Sequence, residues 1–170
     1  AVVAAMLAGM ALGAFWGMAP VYAGQRGFET ADIASLMSLT VLGGALLQWP
    51  IGRFSDSGDR RRALGLVAAV AAASGAVMVA LGSFASVVLA GFFVFGAAAF
   101  AVYPIVVAHL IDHLHQQDIL AGNTGVLFLH GVGAALGPML AGVLLGWIGS
   151  SGLPLHFALA FAPLAVFALL

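Results

Sequence analysis

Arginine is the only strongly basic residue in this chain, and four of its five arginines, Arg53, Arg60, Arg61 and Arg62, fall within ten residues. The stretch that holds them, WPIGRFSDSGDRRRAL, also carries Asp56 and Asp59, so its available chemistry is ion pairing, helix capping and attraction of anions. Asp59 is placed to cap a helix that opens at the arginines. Three arginines at a helix start lie near the positive end of its dipole, which is unfavourable by about 0.3–1 kcal/mol each. Their placement needs another reason, and anionic lipid headgroups, attracting each arginine by about 1 kcal/mol, are one.

The other ionisable residues divide by position. All six acidic residues, Glu29, Asp32, Asp56, Asp59, Asp112 and Asp118, are expected in loops or at helix ends, so none is a buried carboxylate suited to carrying a proton. His130 is different. It lies well inside an apolar run, about 17 Å along a helix and so near a bilayer midplane. An ionisable residue there is a functional candidate, and an imidazole suits proton exchange near neutrality; a neutral ring hydrogen-bonded to a neighbouring helix is the equal alternative. His109 and His113 share a helix face, and with Asp112 or His115 could supply three metal ligands. They sit at a polar helix end where such residues are expected anyway, and no metal site is assigned. There is no nucleophile–base constellation, no phosphate-cradling glycine loop and no cysteine, so neither an enzyme nor a cofactor is expected.

What must position these residues is a membrane-embedded frame. The 170 residues are 64% hydrophobic and 6% charged, with mean hydropathy +1.17, whereas a soluble domain is about a quarter charged. A net charge of −1 lacks the basic footprint of a nucleic-acid binder. Runs long enough to span hydrocarbon recur along the whole length. Helices are expected rather than barrel strands, because the runs are continuous rather than alternating. The reading is an all-α polytopic membrane protein with six transmembrane helices, at about 1–22, 32–51, 63–81, 84–110, 119–148 and 155–170. Thr30 or Asp32 is expected to cap the second. GSSGLP is read as the loop before the last. The start at Ala1 and the stop at Leu170 inside an apolar run are read as those of a piece of a longer polypeptide.

With an even number of spans, the arginine loop shares a side with both chain ends, and the positive-inside rule makes that side cytoplasmic. Gly9, Gly13 and Gly17 repeat every fourth residue, as do Gly133 and Gly137, continued by Gly142 and Gly146. Such faces let helix backbones approach closely, and Pro138 removes a backbone hydrogen bond from the fifth helix. Tyr22 is read as an interfacial anchor, and Gln48, Asn123 and Thr124 as formers of interhelical hydrogen bonds.

The segment Gly52-Arg53-Phe54-Ser55-Asp56-Ser57-Gly58-Asp59-Arg60-Arg61 resembles the G-x-L-[AS]-D-R-x-G-R-R signature of major facilitator superfamily transporters. Ser57 stands where a basic residue is usual and Asp59 where a glycine is common. GALLQWPIGRFSD, FAVYPIVVAH and GVGAALGPMLAG are similar in order and spacing to the C-terminal half of the YcaD-like branch of that superfamily. The resemblance implies half of a twelve-helix fold, as two inverted three-helix repeats, with an N-terminal half as its partner. It further implies secondary active transport of a small molecule by alternating access in a bacterial cytoplasmic (inner) membrane. Gly52, Arg53, Asp56, Arg60 and Arg61 would form the cytoplasmic gating motif, Asp56 meeting a helix N-terminus of the opposite half. Trp16, Tyr103 and His130 become candidates for the substrate or proton pathway. The rival reading is a non-transporting scaffold that self-associates through its glycine faces.

Overall fold

The computed structural model describes residues 1–170 and is entirely helical: α1 (Val2–Gln25), α2 (Thr30–Asp56), α3 (Arg60–Leu81), α4 (Ala85–Ile111), α5 (Ile119–Ile148) and α6 (Gly152–Leu169), with 3-10 turns at Gln116–Asp118 and Gly149–Ser151. Local chemistry sets the starts. Asp59 precedes α3, and its carboxylate accepts from the backbone N–H of Arg61 at 2.8 Å and of Arg62 at 3.4 Å. Asp59→Ala is expected to destabilise the protein by about 1 kcal/mol, read as a lowered thermal unfolding midpoint. Helix α2 is capped by Glu29 rather than by Thr30 or Asp32, with Asp32 accepting the Glu29 N–H at 3.2 Å. It continues through Pro50 to Asp56, beyond the expected end at Ile51. The signature residues Gly52–Asp56 are therefore helical, and only Ser57–Asp59 separate α2 from α3.

The expectation of six transmembrane helices in two inverted repeats is corrected. Five helical segments are long and apolar enough to cross a membrane, and the last is a single 54-residue segment, Gln116–Leu169. The expected loop at GSSGLP does not form. Gly149, at φ 63°, reverses the chain within one 3-10 turn, and Ser151 and Gly152 are already right-handed helical. At 1.5 Å per residue the segment would measure about 80 Å if straight, but α5 and α6 fold back into contact with one another. The first three helices pack against the last three, most extensively α1 with α5, α2 with α4 and α3 with α6.

These pairings are made by small residues. A Cβ on Gly9 or Gly13 of α1 would collide with the backbone of His130 or Ala134, and one on Gly133 or Gly137 of α5 would strike the carbonyls of Met6 or Met10. The α1–α5 contact is thus glycine against backbone on both sides, which brings dispersion contacts where lipid provides no hydrophobic drive. Gly17 faces the Pro138 ring. The face ends sooner than its spacing implies, since Gly142 meets only the Met18 side chain at 3.8 Å and Gly146 faces open space. Aromatics fill the centre, with Phe95 stacked on Phe157 at 3.8 Å between ring centroids. Outside, Trp147, Phe128 and Leu120 stand in the open, as side chains that meet lipid do.

Candidate functional site

The short α2–α3 connection places Asp56, the last residue of α2, one turn from Arg60, the first of α3. Arg60 Nη1 donates to Asp56 Oδ1 at 2.6 Å, and its Nε donates to Asp112 Oδ2, just past the end of α4, at 2.5 Å. One guanidinium so joins the ends of three helices. Its side chain is 22% exposed, against 67% for Asp56 and 47% for Asp112. Solvent screening at that exposure keeps each pair to about 0–1 kcal/mol. The cluster consequently fixes geometry more than it adds stability.

The remaining arginines are held differently. Arg61 Nη2 donates to the Phe167 carbonyl at 2.9 Å and its guanidinium lies over the Phe167 ring at 5.8 Å, tying α3 to the end of α6. Arg53 lies over the Trp49 ring at 5.9 Å. Arg62, on the exposed side, approaches Asp59 at 3.7 Å. Gln48, Trp49, Gly52, Arg53 and Asp56 line a groove on the outer face of α2, and nothing lies within 4 Å of where a Gly52 Cβ would be. The signature thus presents one closed side, through Arg60 and Arg61, and one open side, through Gly52, Arg53 and Asp56.

Deeper in the bundle, His130 on α5 packs its ring against Tyr103 on α4, 4.6 Å between centroids, and its Nδ1 lies 3.1 Å from the Ala5 carbonyl of α1. A carbonyl only accepts, so Nδ1 carries the proton and Nε2 is the free acceptor. Trp16, 53% exposed, reaches α4 through Phe100, at 6.3 Å between rings. Tyr103 and His130 are therefore brought together, whereas Trp16 belongs to a separate aromatic contact.

Several side chains sit where the sequence did not place them. Tyr22 is fully buried, with its ring 5.4 Å from Phe92 and under the Arg26 guanidinium, rather than an interfacial anchor. Thr124 donates its hydroxyl to Leu120 of its own helix at 2.8 Å, not across to a neighbour. Arg26, at the end of α1, donates to the Gly82 carbonyl and so ties α1 to the α3–α4 turn at the end opposite the arginine cluster. Asp112 is bound to Arg60, and His113 Nδ1 turns back to the His109 carbonyl at 2.8 Å. Whereas His130 is half-buried, His156 is the buried histidine of the bundle. It is 4% exposed, and its Nε2 lies 3.3 Å from the Met10 carbonyl. An ionisable residue inside an apolar run was the signal that would have found it.

A family model described as Major Facilitator Superfamily matches residues 1–170. Two bacterial relatives, both named "Uncharacterized MFS-type transporter YcaD", come from Shigella flexneri and from Escherichia coli strain K12 / DH10B. Each is 30% identical over 140 residues, covering 82% of this chain and 36% of the relative. The chain thus spans about a third of the length of the curated relatives it matches. Helical segments of spanning length, together with these bacterial relatives, make it an integral protein of a bacterial membrane.

Proposed function

Because this chain belongs to the major facilitator superfamily, we propose that it is the C-terminal half of a secondary transporter that moves a small molecule by alternating access. Its other half would precede it in the same polypeptide. The end carrying Arg53–Arg62 would face the cytoplasm, since four of the five arginines gather there. The observation that carries the reading is the signature's two-sided arrangement. Arg60 binds Asp56 and Asp112 within this half, while Asp56, Gly52 and Arg53 keep an open face toward a partner.

Asp56 then has two uses. Toward its own half it anchors Arg60; toward the other it offers a carboxylate to a helix N-terminus. Such a contact is worth up to about 2 kcal/mol when partly buried. If it forms only when the cytoplasmic side is closed, it favours that state about thirtyfold over the open one. The glycine-on-backbone contact of α1 with α5 supports movement as a unit, because at Gly9, Gly13, Gly133 and Gly137 each helix meets the other's backbone, which cannot repack independently. His130 would serve as proton-exchange group through its free Nε2, beside Tyr103.

The test compares small-molecule accumulation in cells making the whole protein, its Asp56→Ala variant, or its His130→Ala variant. Transport is expected to redistribute at least one compound, with Asp56→Ala abolishing most of the gradient and His130→Ala flattening its dependence on pH. If no compound is redistributed by the whole protein, the reading is wrong. If transport persists with unchanged rate and pH profile in both variants, the two named roles are wrong.

A further inference from the structure

At the end of the bundle opposite the arginine cluster, three turns enclose a cavity of about 380 Å³. Arg26 reaches it from the end of α1, Gly82 and Ser83 from the α3–α4 turn, and Ser150 and Ser151 from the 3-10 turn between α5 and α6. Arg26 is the one arginine outside the cluster, and it makes no ion pair. The acids closest to it in sequence, Glu29 and Asp32, are taken up by each other's backbone N–H groups at the start of α2. A guanidinium has five N–H donors. One goes to the Gly82 carbonyl, and the buried Nε is among those without an acceptor. Tyr22, fully buried beneath the guanidinium, has a hydroxyl that is equally without a partner. Buried polar groups are ordinarily satisfied, so orphans on two neighbouring side chains mark a partner that the chain itself does not supply.

The surroundings say what kind of partner it is. Helices α2, α4 and α6 all start at this end and turn the positive ends of their dipoles toward it. Only α2 has carboxylates to meet that charge, whereas the starts of α4 and α6 make no side-chain cap bond. Ser151, directly before α6, is of a type that caps helices, yet its hydroxyl makes no such bond. An unpaired guanidinium and serine hydroxyls on a mostly polar wall suit a hydrophilic anion and not an acyl chain. The number of donors then chooses among anions. The remaining guanidinium N–H groups and the hydroxyls of Ser83, Ser150 and Ser151 exceed the roughly four acceptor positions of a carboxylate, but the three strongly accepting oxygens of a phosphate group can take about two each. We propose that this cavity binds the phosphate group of a soluble molecule, with Arg26 as its charge partner and Ser83, Ser150 and Ser151 as hydroxyl donors. An occupant would join the end of α1 to the two turns beside it. The site requires no transport, so it stands or falls separately from the transporter reading.

The test uses the whole polypeptide in detergent, with radiolabelled inorganic phosphate as the probe and equilibrium dialysis at constant ionic strength as the measurement. The wild type is expected to bind phosphate in the presence of excess chloride. Arg26→Ala should weaken that binding by about tenfold or more, the loss of at least one charged hydrogen bond, whereas Arg62→Ala, in the exposed part of the arginine cluster, should leave it unchanged. Because Arg26 also ties α1 to the α3–α4 turn, a second variant spares that tie. Ser150→Ala combined with Ser151→Ala removes two hydroxyls and leaves Arg26 in place, and it should weaken binding about fivefold. Absence of phosphate binding by the wild type would overturn the proposal, as would unchanged binding in both Arg26→Ala and the double serine variant. Native mass spectrometry from nanodiscs supplies the other arm: phosphatidylglycerol retained through Arg26 and not displaced by inorganic phosphate would show a lipid site and overturn the assignment to a soluble molecule.

Discussion

Gly137→Ala is expected to lower the thermal unfolding midpoint, although alanine is the better helix former. On propensity alone the change would stabilise α5 by about 0.5–1 kcal/mol. The new Cβ, however, would land on the Met10 carbonyl of α1, and overpacking of this kind costs about 1–3 kcal/mol. The steric term wins because the obstacle is backbone, which cannot move aside as a flexible side chain can. The net loss should appear as a fall of about 2–4 °C per kcal/mol for a chain of this size. Gly24→Ala near the end of α1, where nothing lies within 4 Å, should leave the midpoint unchanged or raise it. Equal behaviour of the two variants would mean that α1 and α5 do not meet backbone to backbone.

Arg60→Ala is expected to reduce transport by about tenfold, from the loss of two half-exposed ion pairs worth up to about 1 kcal/mol each. It releases Asp56 and Asp112 together, so the ends of α2, α3 and α4 lose their common tie. Arg60→Lys should recover part of the rate, because an ammonium is a point charge that cannot span both carboxylates as a guanidinium does. Asp112→Asn should fall between wild type and Arg60→Ala. Adding Asp112→Asn to Arg60→Ala should cost nothing further, since the interaction is already gone. Full flux in Arg60→Ala would leave the cluster without a role in transport.

The residues that read correctly from sequence are those whose chemistry is local. Asp59 caps α3 because a carboxylate before a helix start has backbone N–H groups within reach, whatever the rest of the chain does. The limits Ile119–Ile148 of α5 follow from polar residues on one side and glycine on the other. The spacing of Gly9 with Gly13, and of Gly133 with Gly137, marked faces made for close approach, but not that each would be the other's partner. Spacing also carried the second face too far, to Gly146, because it holds no information about where a neighbouring helix diverges.

Other features depend on the fold and were not legible. Asp112 read as a loop acid or metal ligand, and only the packing of α4 beside α3 makes it the second partner of Arg60. GSSGLP has the composition of a loop, yet one positive-φ glycine is enough to turn the chain there, and helix resumes at once. That is why a count of six spans gave way to five segments, the last 54 residues long. The second helix ran longer than expected. The end expected for α2 at Ile51 lies one residue past Pro50, and the helix passes through both to Asp56, as helices in membranes often do where neighbours satisfy the freed backbone groups.

The most direct measurement of the proposed alternating access through this motif needs no known substrate. Spin labels at Ser57, in the exposed α2–α3 turn, and on the proposed N-terminal half across the proposed cytoplasmic opening would report the width of that opening by pulsed electron resonance in the whole protein. Two distance populations are expected in the wild type, with Asp56→Ala moving weight toward the longer one. A single population that Asp56→Ala leaves untouched would contradict a gate at this end.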